Sequence, residues 1–187
     1  MIFYLIAGIV YFLLGTYLVY LDPASKINRK FFYVTTSLLI WAVGFSMSVG
    51  AVNEVNSVFW RRVASFGWGS FYAFLLHFIF YMVRDKYHSK IFRMIEKYHL
   101  EILLYIPALI VIYVFGISNE LSEYHYDMTK TIFGWRNLSV PSNWDQFFNI
   151  YFISYSMFGL LLLFRWKQKT FLIREKKQAT FIILSYF

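Results

Sequence analysis

Side chains able to do chemistry are sparse in this sequence. His77 is the one ionisable residue set well inside a long apolar run. Ser70, Ala73 and His77 stand at i, i+3 and i+7, so a helix places them on one face. Small residues on such a face let neighbouring helices approach closely in lipid. Imidazole titrates near physiological pH, which makes His77 a candidate sensing or switching residue. The alternative is a neutral ring hydrogen-bonded to another helix, because burial makes the charged form costly. His88, His99 and His125 are isolated, and their spacing matches no metal site. There is no cysteine, hence no disulfide or zinc–thiolate chemistry. No nucleophile elbow, P-loop, carboxylate pair or glycine-rich phosphate cradle occurs. Catalytic residues, cofactor-binding residues and metal ligands are therefore not expected, and neither is an enzyme. A second group, Tyr124, Tyr126, Phe133, Trp135 and Trp144, lies among Glu120, Glu123, Asp127 and Asp145. Aromatics with a few polar groups suit a small-molecule pocket, so this segment is a candidate external ligand loop. Read otherwise, it is an interfacial loop with aromatic anchors.

The elements that must hold these residues follow from composition. Of 187 residues, 59% are hydrophobic and only 15% charged, where a soluble domain carries about 25% charge. Lipid must cover the remainder of the surface. Aromatic content of 24% suits interfacial belts. A hydrocarbon core of about 30 Å needs about 20 apolar residues, and runs of that kind predict helices near 2–20, 31–51, 63–83, 100–117 and 147–164. A sixth apolar run, 179–187, is about half the length a span needs. The fold class expected is an all-α integral membrane helical bundle, with five complete transmembrane helices and the start of a sixth. Residues 1–187 form a single domain, and more helix is expected beyond Phe187. Pro107 softens the fourth span, which a membrane helix tolerates when neighbours satisfy the freed carbonyl. Three small-xxx-small pairs, Gly44 with Ser48, Ser46 with Gly50 and Ser65 with Gly69, favour close packing inside the bundle.

Charge placement orients the chain. Fourteen of the 18 basic residues lie in the first, third and fifth loops, and only Arg61, Arg62, Lys130 and Arg136 lie in the second and fourth. Strict alternation of this kind is the positive-inside pattern. It predicts a multi-pass plasma-membrane protein with an extracytoplasmic N-terminus. The formal net charge of +8 is thus topogenic, with attraction to lipid headgroups as a secondary consequence. No nucleic-acid partner is expected; the lipid bilayer is.

Several short motifs carry a family resemblance. They are Ile27 to Phe32 (INRKFF) at the opening of the second span, Trp41 to Gly44 (WAVG), Phe59-Trp60-Arg61 ahead of the third span and Leu76-His77-Phe78 near its end. Arg174 to Ala179 (REKKQA) follows before the last apolar run. Together they resemble the N-terminal seven-helix region of bacterial histidine kinases, also found ahead of GGDEF diguanylate cyclase domains. The resemblance implies a truncated seven-helix bundle. It would serve as a sensory input region that relays an extracytoplasmic or membrane signal to a missing cytoplasmic output domain. An unidentified small ligand and homodimerisation through that output domain are implied partners. The competing expectation is a fragment of a transporter or permease, which would show broken helices or paired intramembrane charges.

Overall fold

The computed structural model describes residues 2–84, 100–118, 126–138, 142–170 and 172–184. His88, His99, Tyr124, His125, Glu120 and Glu123 lie outside the described residues, as do Lys86, Lys90, Arg93 and Lys97 of the third loop. The first helix, α1 (Ile2–Leu21), is apolar on every side, and only Gly8 and Gly15 are buried. A helix that is hydrophobic all round belongs in lipid.

The α1–α2 turn is built by side chains. Asp22 Oδ1 accepts from the Ala24 and Ser25 N–H groups, both at 3.1 Å. Ser25 caps the next helix by accepting from Asn28 N–H at 3.3 Å. Asn28 Nδ2 donates back to the Leu18 carbonyl at 2.8 Å. The second helix, α2 (Lys26–Val49), therefore starts one turn before Phe31, where the apolar pattern begins. The third helix, α3 (Glu54–Arg84), has 31 residues. At 1.5 Å per residue it is about 46 Å long, well beyond the hydrocarbon thickness. Arg61 and Arg62, expected in a connection, lie two turns inside it. Arg61 donates to Ser48 Oγ at 3.1 Å and stacks 4.5 Å from the Phe45 ring centroid.

Small residues bring α2 and α3 into near backbone contact. A Cβ at Gly44 would lie 2.6 Å from Ala64 N, and one at Gly67 would strike the Trp41 backbone. Ser48 and Ser57 share a buried hydroxyl–hydroxyl bond of 3.0 Å across the same interface.

The fourth helix, α4 (Leu100–Ile117), is irregular along its length. It begins as a 3₁₀ segment, Leu100–Tyr105, becomes α-helical over Ile106–Ile112 and ends as a π segment, Tyr113–Ile117. Two short antiparallel strands follow, β1 (Met128–Thr131) and β2 (Gly134–Asn137), with Met128 opposite Asn137. This hairpin is an addition to the all-helical expectation. Gly134 has φ of 110° beneath Val49, a conformation that favours glycine.

The fifth helix, α5 (Asn143–Lys169), opens on a Ser142–Asp145 capping box, one turn before the apolar run. The sixth, α6 (Ile173–Leu184), starts ahead of the apolar segment at 179, after a turn in which Thr170 Oγ1 donates to Glu175 at 2.5 Å. Helices α1 to α5 are each long and apolar enough to cross a membrane. Consecutive packing puts the α1–α2 turn, the C-terminus of α3 and the α5–α6 turn at one end. The hairpin sits at the other.

Candidate functional site

Helices α3 and α4 pack antiparallel in a constant register. Arg62 Nη1 donates to the Ser118 carbonyl at 3.4 Å. A Cβ at Gly116 would lie 2.6 Å from Ser65 Oγ, and one at Gly69 would lie 3.1 Å from Ile112 Cγ1. Further along, His77 Nδ1 hydrogen-bonds the Tyr105 hydroxyl. The Tyr81 hydroxyl donates to Glu101 Oε1 at 3.1 Å. His77 and Tyr81 are one turn apart on α3, and Glu101 and Tyr105 both lie in the 3₁₀ segment of α4, so two rungs of one ladder join the helices.

His77 is 2% exposed. Its ring packs against Tyr81 and Tyr105, with centroids 5.0 and 5.5 Å away. Among the described residues Nε2 and Glu101 Oε2 are buried with no hydrogen-bond partner. A buried polar atom left unpaired costs about 1–3 kcal/mol. Two such atoms in one polar cluster make this the least comfortable part of the α3–α4 contact. Lys30 of α2 closes the cluster, its amino group 5.3 Å from the Tyr81 ring centroid.

Ser70 and Ala73 share the buried face of His77 but not its partners. Ser70 Oγ donates to carbonyls of its own helix, Phe66 at 2.6 Å and Gly67 at 3.2 Å. Ala73 meets Tyr151 of α5. The Tyr151 hydroxyl accepts from Ala73 N–H and donates to the Gly69 carbonyl, both at 3.0 Å. Those two groups are the ends of one i→i−4 rung, so a single hydroxyl of α5 bridges both ends of a rung in α3. Tyr155 donates to the Leu104 carbonyl at 2.8 Å. Leu104 lies in the 3₁₀ segment just ahead of Pro107, the second residue of the α-helical part of α4.

Five of these residues, Tyr81, Glu101, Tyr105, Tyr151 and Tyr155, are not among the candidates that the sequence offers. Glu101 sits in the first turn of an apolar span, where a carboxylate looks like the polar edge of the span. The i, i+4 spacing of Glu101 and Tyr105 opposite that of His77 and Tyr81 was the available signal. Tyr151 and Tyr155 gave none, being two tyrosines among 16.

Of the fourth-loop aromatics among the described residues, Tyr126 and Trp144 pack against one core cluster that includes Phe115 and Tyr151, while Phe133 is exposed at the hairpin tip. Tyr126 donates to the Phe115 carbonyl at 3.1 Å, which fastens the hairpin to α4. Trp135 Nε1 donates to the Ala51 carbonyl at 2.9 Å, which fastens it to the end of α2. Trp144 lies in the first turn of α5 beside Phe147. Among the described residues no group of three or more His, Cys, Asp or Glu is placed to hold a metal ion.

A family model described as the N-terminal 7TM region of histidine kinase matches residues 3–187. The chain belongs to this family. No curated protein and no solved structure is significantly similar to it. As a histidine-kinase 7TM region it is a multi-pass membrane protein and a sensory input domain, distinct from the catalytic part of such kinases. The ladder between α3 and α4 is therefore a contact between helices of this 7TM region.

Proposed function

We propose that this 7TM region sits with its N-terminus and β-hairpin outside the cytoplasm and passes a signal along α3 and α4 to a C-terminal histidine-kinase effector. The basic residues support the orientation, since the α1–α2 and α5–α6 turns carry them and share one end of the bundle. The register between α3 and α4 is the observation that carries the relay. The hairpin is fastened to α4 by Tyr126 and to α2 by Trp135, at the end where Arg62 meets Ser118. The opposite end of the same helix pair holds His77–Tyr105 and Tyr81–Glu101.

A ligand or a change in the membrane that moves the hairpin moves the start of this register, and the polar rungs feel it at the far end. Helix α4 is the element suited to shift. Its 3₁₀, α and π segments differ in hydrogen-bond spacing, and π segments recur at functional sites. The aromatic hairpin end suits a small, partly apolar ligand, and dimerisation belongs to the effector.

Trp135→Ala tests this reading, because it releases the hairpin from the Ala51 carbonyl at the end of α2. Autophosphorylation of the full-length protein in proteoliposomes should change severalfold, with unchanged membrane insertion. Wild-type output from a correctly inserted Trp135→Ala protein would refute a relay that starts at the hairpin.

A further inference from the structure

The first turn of α2 carries Lys26, Arg29 and Lys30 at i, i+3 and i+4, hence on one face. With Tyr33 and Tyr81 they line a cavity of about 200 Å³. The Lys30 amino group is held between two rings, 5.6 Å from the Tyr33 centroid and 5.3 Å from that of Tyr81. Arg84, the last residue of α3, places its guanidinium 4.7 Å from the same Tyr81 ring. Three cations thus line one small cavity and Arg84 flanks its Tyr81 wall; among the described residues Glu101, bonded to Tyr81, is a carboxylate beside them.

Cations this close repel one another, and an anion in the cavity reverses that cost. The cavity also lies at the N-terminus of α2, where the helix dipole favours negative charge. Its height in the bundle is equally informative. The lipid-facing apolar surface of α1 runs out at Tyr20 and Leu21, immediately before the α1–α2 turn. The cavity is therefore level with the headgroups, where basic pockets between transmembrane helices take anionic lipids.

We propose that this cavity is a phosphate-group site filled by the headgroup of an anionic phospholipid. Lys26, Arg29 and Lys30 take the phosphate oxygens, and the Tyr33 hydroxyl is available to donate a further hydrogen bond. The glycerol and acyl chains leave along the lipid-facing side of α2. The site requires only that the bundle be in a membrane. It stands whether or not the hairpin senses a ligand.

The test uses the delipidated chain in neutral detergent, titrated with dioctanoyl phosphatidylglycerol while thermal stability and native mass spectra are recorded. One bound phosphatidylglycerol should raise the melting temperature saturably, while dioctanoyl phosphatidylcholine and inorganic phosphate at equal concentration should not. Each basic side chain near an anionic surface contributes about fivefold in affinity, so Lys26→Gln/Arg29→Gln/Lys30→Gln should weaken binding about a hundredfold. Removing the same number of charges elsewhere, by Arg174→Gln/Lys176→Gln/Lys177→Gln, should leave it within about twofold. Should the first triple variant fail to fold, Tyr33→Phe and Lys30→Gln singly should each still weaken binding. Equal responses from both triple variants, or from the single variants and wild type, would overturn the site. Equal stabilisation by inorganic phosphate would overturn the lipid as its occupant.

Discussion

At the residue scale, the bundle uses hydroxyls and one imidazole where a soluble protein would use an apolar seam. His77, Tyr105, Tyr151 and Tyr155 each tie one helix to another. Interhelical hydrogen bonds in membranes contribute about 0.6 kcal/mol on average and up to about 2 in favourable cases. His77→Ala should therefore leave insertion intact and lower unfolding stability by no more than about 2 kcal/mol, measured by unfolding in mixed micelles. His77→Asn keeps a hydrogen-bonding side chain toward Tyr105 and should recover part of the loss. Equal losses from the two variants would mean that packing volume, not the polar contact, is what matters. Tyr151→Phe is the sharper case, since it frees both the Ala73 N–H and the Gly69 carbonyl from one hydroxyl. The helix can satisfy that rung by itself, so the variant should cost about 1 kcal/mol or less. Slower amide exchange at Ala73 in the variant would show the rung closing. Unchanged exchange would show that the hydroxyl imposes no distortion.

At the element scale, close approach of α2 and α3 depends on which atom a new methyl group would meet. At Gly44 the obstacle is the Ala64 backbone, at 2.6 and 2.7 Å, whereas at Gly69 it is the side chains of Ile112 and Val111, at 3.1 Å. Backbone cannot yield without moving a helix, but a side chain can rotate. Gly44→Ala should cost about 1–3 kcal/mol, the usual range for overpacking, and Gly69→Ala distinctly less; the reverse ranking in thermal stability would contradict this packing. The same elements show why part of the fold was legible. Spans are read from apolar length, which lipid enforces, and all five runs are helical. Helix starts were missed by about a turn at Lys26, Asn143 and Ile173, because caps and polar first turns lie outside the apolar pattern. Glu54 lies two and a half turns ahead of the run at Val63, with Arg61 and Arg62 inside the helix. The hairpin escaped because four-residue strands with Ile132-Phe133 between them leave a weak alternation. The polar ladder is only half legible, because the spacing around His77 defines a face of its own helix while its partner lies 28 residues away on another.

At the scale of the whole molecule, orientation and signalling are separable. Ile132 and Phe133 at the hairpin tip are 93% and 86% exposed, and the chain has no cysteine to interfere. Cysteine at either position should react with an impermeant thiol reagent in intact cells, whereas cysteine at Ala24, at the opposite end, should react only after lysis. Labelling of Ala24→Cys from outside would invert the proposed topology. The relay itself rests on the α3–α4 register, and its polar rungs allow it to be disturbed without disturbing the fold. Tyr105→Phe keeps the ring and deletes only the hydroxyl bonded to His77. Losing about 0.6 kcal/mol from one of two output states shifts their ratio about threefold. The decisive measurement is the autophosphorylation rate of full-length Tyr105→Phe protein in proteoliposomes, normalised to inserted protein. A change of about threefold or more in basal rate, in either direction, is expected if α3 and α4 carry the signal. A rate equal to wild type in a normally inserted protein would show that this contact only holds the bundle together.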